Sequence, residues 1–148
     1  MKFILWRKYG TRITLVEDGC DSIWNYKTWG NTRNCLLLGT TERGAIDVDD
    51  FANYFEKNVL LHKETRKSRL GNVQYRPYEK LEKIMVTAYG YTCWKYDEKF
   101  NIKNHVKRVN ELAHYTEQDL MELLSNLAED MDTSKPQWEF VFVENYQG

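Results

Sequence analysis

Residues Thr116-Glu-Gln-Asp-Leu120-Met-Glu-Leu-Leu-Ser-Asn-Leu127 are followed, beyond Asp132-Thr-Ser-Lys-Pro136-Gln, by Trp138-Glu-Phe-Val-Phe-Val143. The first part has the period of a helix. Thr116 is a good N-cap, Glu117 and Asp119 occupy the first turn, and Leu120, Met121, Leu123, Leu124, Leu127 and Met131 recur at helical spacing. Glu122 and Glu129 fall on its polar face. Pro136 then breaks the pattern, and the next segment has the period of a strand, with Trp138, Phe140 and Phe142 on one face. A helix that gives way to a strand within one segment points to interleaved elements rather than a bundle.

The same alternation extends upstream. Thr11-Arg-Ile-Thr-Leu-Val16 alternates polar and apolar and predicts a short strand ended by the turn-prone Glu17-Asp18-Gly19. Cys35-Leu-Leu-Leu38, between Asn34 and Gly39, predicts a strand buried on both faces. Asp47 can cap a helix in which Phe51, Phe55 and Val59 form one stripe and which reaches His62. Lys63, Arg66, Lys67 and Arg69, opposed only by Glu64, then form a basic cluster that reads as a solvated helix end. From Val73 to Phe100 tyrosines abound around Trp94, and the extended Lys83-Ile-Met-Val-Thr87 suggests one or two strands. The expected fold is an α/β (α+β) sandwich, a mixed sheet flanked by helices, forming one domain over residues 1–148.

Composition sets the class. With 42% hydrophobic and 29% charged residues and only 2 prolines, the chain is of the folding rather than the disordered type. A formal charge of −1 gives no global attraction to nucleic acid or anionic lipid, so any such attraction is local. Three cysteines, Cys20, Cys35 and Cys93, are too widely spaced for zinc and odd in number, and no Asn-x-Ser/Thr site occurs, which favours a reducing, intracellular compartment. The opening Met1-Lys-Phe-Ile-Leu-Trp6 is far shorter than the ~20 residues of a membrane span. It is either a first strand or helix, or an interfacial flank in which Trp6 sits beside Arg7 and Lys8.

Familiar catalytic patterns are missing. No two histidines adjoin, and His62, His105 and His114 lack a carboxylate four residues on. There is no Gly-x-Ser-x-Gly elbow, P-loop, dinucleotide glycine signature or His-Glu-x-x-His. Asp47, Asp49 and Asp50 invite a metal reading, but a helix N-terminus favours carboxylates there, so capping and dipole stabilisation account for them better. A free cysteine is more often a small core residue than a nucleophile.

Phe100-Asn-Ile-Lys-Asn-His105-Val-Lys-Arg108-Val resembles the F-x-hydrophobic-x-x-H-V-x-R segment of the wax ester synthase/diacylglycerol acyltransferase family. At the matching distance, Asp132-Thr-Ser-Lys-Pro136-Gln-Trp138-Glu139 resembles its D-x-S-[RK]-P-x-W-[EQ] element. Asp18-Gly-Cys-Asp21-Ser-Ile-Trp24 is similar to the family's opening, and Ile46-Asp-Val-Asp-Asp-Phe51 to its strand-to-helix junction. The family-motif positions are thus Asp21, His105, Arg108, Asp132, Pro136, Trp138 and Glu139, each implied to be structural.

The resemblance implies the partial amino-terminal half of a coenzyme-A-dependent acyltransferase fold. In that family H-H-x-x-x-D-G supplies the general base, and its second histidine deprotonates the acceptor alcohol as it attacks the thioester. Such base catalysis contributes about two to four orders of magnitude. The motif follows the Pro-x-Trp-Glu strand in relatives and does not occur in this sequence, so no catalytic residue is assigned and the chain is expected to be inactive alone. If relatives pair the 138–143 strand with the next one, that strand has an open apolar edge here.

The resemblance further implies acyl-CoA as co-substrate, with no bound cofactor, a long-chain alcohol or diacylglycerol as acceptor, and the remainder of the acyltransferase as partner. Arg7, Lys8 and Arg12 permit attachment to a membrane surface, such as endoplasmic reticulum or plasma membrane. Two other readings are a non-catalytic interaction module of the same fold and a nucleic-acid-binding domain using Lys63, Arg66, Lys67 and Arg69 with the tyrosine-rich segment. The near-neutral charge counts against nucleic acid.

Overall fold

A computed structural model describes residues 2–10, 12–17, 39, 46–69, 71–109, 114–129, 134–144 and 146. The expected strand at Cys35–Leu38 and the motif positions Asp21 and Asp132 lie outside the described residues, as do Cys20 and Cys35. The described part is α+β, with antiparallel and parallel strand pairs packed against helices.

Helix α1, Lys2–Tyr9, precedes β1, Ile13–Leu15. β1 joins β4, Lys83–Ala88, and β5, Tyr91–Tyr96, in an antiparallel sheet with β5 in the middle. Leu15, Cys93 and Val86 lie directly opposite one another across it, and with Ala88 and Leu5 of α1 they form one apolar cluster. The β4–β5 connection is the two-residue turn Tyr89-Gly90, with φ of 52° and 78°. Two positive φ values match the right-handed strand twist, and Gly90 adopts one without steric cost. The tyrosine-rich span thus holds two complete strands and the end of a third.

The second cluster centres on α2, Val48–Phe55. Its start is as the sequence predicts: Asp47 Oδ1 accepts from the amides of Asp49 and Asp50 at 2.8 and 3.0 Å. Its end differs. The helix continues only to Leu60, and Glu56–Leu60 is a π-helical turn closed by Leu61 N–H donating to the Glu56 carbonyl at 2.8 Å. The wider turn adds one residue to the spacing. The side chain buried five positions after Phe55 is therefore Leu60, 1% exposed, while Val59 is only half-buried.

The basic cluster is not a helix end. Glu64–Ser68 and Gly71–Tyr75 are β2 and β3, an antiparallel hairpin exposed along its whole length. Once the π turn ends at Leu60, Thr65, Val73 and Tyr75 favour extended pairing over another helical turn.

The last third is a parallel unit. β6, Val106–Val109, pairs in register with β7, Phe140–Val143, and α3, Glu117–Glu129, lies between them in sequence. Parallel strands need a long crossover, which α3 provides. Thr116 and Asp119 cap α3 reciprocally, with Asp119 N–H reaching Thr116 Oγ1 at 3.3 Å and the Thr116 hydroxyl donating to Asp119 Oδ2 at 2.6 Å. β7 begins at Phe140 rather than Trp138, and among the described residues it pairs only with β6.

Replacing Leu60 by Ala empties a fully enclosed position and is expected to cost about 3 kcal/mol. Met121→Ala, on the exposed face of α3, is expected to change stability by less than about 0.5 kcal/mol. Guanidinium unfolding of both variants checks the pair.

Candidate functional site

The family-motif residues that fall on described positions gather at the start of the parallel pair. β6 begins directly after His105, which follows a short 3-10 turn, Ile102–Asn104, capped by Asn101 Oδ1 accepting from Lys103 N–H at 3.0 Å. His105 is buried in a triangle of rings, with its centroid 5.1 Å from Phe100 and 4.6 Å from Trp138, which are themselves 6.4 Å apart. Its Nδ1 lies 2.8 Å from the Trp138 carbonyl oxygen. A carbonyl only accepts, so Nδ1 carries the proton and the tautomer is set by this contact. The backbone closes the same loop, with Phe140 N–H donating to the His105 carbonyl at 2.7 Å.

Trp138 extends the arrangement. Its Nε1–H donates to the Leu81 carbonyl at 2.7 Å, and its ring packs against Phe55 of α2 at 5.5 Å and Phe140 at 5.8 Å. Phe51 meets Phe140 and Phe142 edge-on at 5.1 and 5.0 Å. The predicted aromatic face of residues 138, 140 and 142 thus packs, half-buried, against α2. Pro136 is buried ahead of it.

The charged motif residues face outward. Glu139 pairs with Lys107 at 2.5 Å across the strands. Arg108 reaches the Ile46 carbonyl at 3.1 Å through Nη2 and Glu144 at 3.3 Å through Nε, which ties the entry to α2 to the parallel pair. His105, Arg108, Pro136, Trp138 and Glu139 therefore lie together around the start of the parallel pair. The carbonyl contact leaves Nε2 as the unprotonated ring nitrogen, and burial, with 4% of His105 exposed, is what limits a substrate's approach to it.

Sequence reasoning missed a second cluster beside the three-stranded sheet. Glu79 opens the 3-10 turn Glu79–Glu82 and accepts from Lys83 Nζ at 2.6 Å and from the Tyr96 hydroxyl at 2.7 Å. Lys83, only 6% exposed, also lies 4.5 Å from the Tyr96 ring centroid. Arg76 pairs with Glu82 at 2.6 Å and donates through Nε to the Leu60 carbonyl at 2.7 Å. The charges of Arg76, Glu79, Glu82 and Lys83 cancel. Burial opposes ionisation of Glu79, but hydrogen bonds from Lys83 and Tyr96, with the charges of Lys83 and Arg76, outweigh it and hold the carboxyl below its ordinary value. Burial and the Glu79 hydrogen bond push the Tyr96 phenol up to about 12.

Lys63, Gln74, Tyr75, Arg76 and Glu79 line an open cleft of about 420 Å³ at the edge of this cluster. The spacing of Glu79 and Lys83, four apart, was the one legible signal for the network.

Other candidates are accounted for structurally. Asp47 caps α2, and Asp49 pairs with Lys103 at 2.8 Å. Among the described residues no three His, Cys, Asp or Glu side chains are grouped to hold a metal ion. Cys93 is fully buried in the central strand, where burial pushes its thiol up, the opposite of an activated nucleophile.

Comparison with known proteins gives one family. The family model described as the wax ester synthase/diacylglycerol acyltransferase catalytic domain matches residues 62–148, more than half of the chain. No curated protein and no solved structure matches it.

Two substitutions test the site's physics. Trp138→Phe leaves the Leu81 carbonyl without its donor and opens a gap beside Phe55, and is expected to cost about 2–3 kcal/mol in denaturant unfolding. Glu79→Gln removes the counter-charge of buried Lys83. Because solvent reaches Glu79, the expected cost at neutral pH is about 1–2 kcal/mol rather than that of a fully enclosed pair. A carboxyl held below its ordinary value stabilises the fold above the unfolded-state pKa, ~4.3, and loses that contribution as pH falls through the folded value. Stability measured against pH should therefore show a smaller acid decline in Glu79→Gln than in the parent.

Proposed function

This chain belongs to the wax ester synthase/diacylglycerol acyltransferase family, and from that premise we propose that it is the amino-terminal part of an O-acyltransferase. The complete enzyme would transfer a fatty acyl group from acyl-CoA to a long-chain alcohol or diacylglycerol. The alcohol oxygen attacks the thioester carbonyl, a histidine takes the hydroxyl proton, and coenzyme A leaves as its thiol. The family's paired histidines would supply that base, and they are not among these residues.

The observation that carries the reading is the match over residues 62–148 together with where its motif residues sit. His105, Arg108, Pro136, Trp138 and Glu139 are used to fix the parallel pair β6–β7 in register. On this reading the chain's own task is positioning. β7 is held on one side by β6 and on its aromatic face by Phe51 and Phe55. Whatever follows β7 in the complete enzyme then starts from a fixed place, and small displacements of reacting groups cost large factors in rate.

On this reading the base belongs to the family's paired histidines, so the 148-residue chain is not catalytic by itself. Incubating the 148-residue chain with labelled acyl-CoA and either hexadecanol or diacylglycerol is expected to give no ester above the blank. Any transcript product that continues past Gly148 into H-H-x-x-x-D-G is expected to form ester. Ester formation by the 148-residue chain itself, abolished by His105→Ala, would instead make His105 the base. A longer product carrying the motif yet inert with both acceptors would leave the interaction-module reading in its place.

A further inference from the structure

Every residue of the β2–β3 hairpin is exposed, and among the described residues each strand pairs only with the other. A lone two-stranded ribbon is marginal in water, so what its outer edges offer matters. Paired residues in an antiparallel ladder alternate between bonded and unbonded, and Ser68 and Gly71, with two residues between them, make a bonded pair. Counting from there, Arg66–Val73 and Glu64–Tyr75 are bonded across the hairpin as well. The backbone groups of Thr65 and Lys67 therefore point out on the β2 side, and those of Asn72 and Gln74 on the β3 side.

The two edges are guarded differently. Glu64, Arg66 and Lys67 put charge along β2, a common defence of an edge against another strand, whereas Gly71-Asn-Val-Gln-Tyr75 carries no charge and no proline. β3 is also complementary to itself. Turned antiparallel about Val73, it sets Asn72 opposite Gln74 of the other copy in both directions, and these are the residues whose backbone groups are free. Four backbone hydrogen bonds can form. Val73 then faces Val73 in an unbonded pair, where side chains come closest, with Cα atoms ~4.5 Å apart. The Tyr75 ring, held by its hydroxyl on Glu64 at 2.7 Å, faces Gly71, where a Cβ would meet nothing within 4 Å. A slip by one residue would aim bonded groups at free ones, and a slip by two would leave part of the strand unpaired.

We propose that β3 pairs with β3 of a second copy, giving a twofold-symmetric dimer with the four-stranded sheet β2-β3-β3-β2 at its centre. Such a contact is isologous and closes on itself, so it stops at two copies. The basic residues do not oppose it. The two β2 strands lie outermost, three strand spacings or about 14 Å apart, beyond the screening length of ~8 Å at physiological salt. Val73 and Tyr75, 51% and 42% exposed in the single chain, supply the apolar contact on one face. A five-residue ladder buries less than a standard interface of ~1,600 Å², so the dimer is weak and forms as concentration rises. The inference does not depend on the acyltransferase reading.

Sedimentation equilibrium of the 148-residue chain, from about 1 μM to about 500 μM, should show a monomer–dimer equilibrium. Val73→Glu and Val73→Lys should each weaken the dimer about tenfold or more, because each sets like charges face to face on the symmetry axis. Mixed in equal amounts, the two variants should recover the dimer, since opposite charges then meet. Gln74→Pro removes an outward N–H without touching the bonds between β2 and β3, and should weaken association about fivefold or more. Thr65→Glu, on the β2 edge, should leave it unchanged. A chain that stays monomeric throughout, a dimer equally strong in all the β3 variants, or a mixture of the two Val73 variants that associates no better than either alone would each overturn the proposal.

Discussion

The described fold depends on the way Trp138 is satisfied in three directions at once. Its indole N–H is bound by the Leu81 carbonyl, its own carbonyl receives the His105 ring proton, and its ring fills the space beside Phe55. A buried imidazole without a partner would cost about 1–3 kcal/mol, and a half-buried indole without an acceptor somewhat less. Satisfying them together links the entry to β4, the start of β6 and the α2 helix at one point. The register of β6 against β7 follows, because the Phe140 amide and the His105 carbonyl are already joined.

The contrast with the charged network around Glu79 is instructive. There, oppositely charged groups are half removed from water and neutralise one another locally. The aromatic constellation fixes geometry through shape and directional hydrogen bonds, whereas the ionic one depends on the protonation state of its members. Of the family-motif residues, His105 and Trp138 belong to the first set, and the second carries none.

What the sequence made legible was whatever local chemistry decides. The reciprocal cap of α3, the Asp47 cap of α2 and the one-sided aromatic face of residues 138, 140 and 142 each follow from short-range pattern, and each is present. What escaped was decided at a distance. Nothing within Glu56–Leu60 announces a π turn, which depends on Leu60 finding the core better than Val59. The basic run reads as a helix end until its partner Gly71–Tyr75 is known to pair with it. Val106–Val109 is too short to stand out, because its pairing partner is supplied from beyond α3. His105 was likewise visible as a motif but not as a geometry, since the Trp138 ring and carbonyl that meet it come from far along the chain.

The parallel pairing of β6 with β7 also orders events in time. A chain emerging from the ribosome presents Val106–Val109 first, then the whole of α3, and only afterwards the strand that completes the ladder. Hairpins β2–β3 and β4–β5 can close as soon as they are made, since their partners are immediate neighbours. His105 and Phe100 must wait, with their apolar surfaces uncovered, until Trp138 arrives. The vulnerable interval of biosynthesis therefore falls late, and chaperone engagement during translation should concentrate on the segment just upstream of α3.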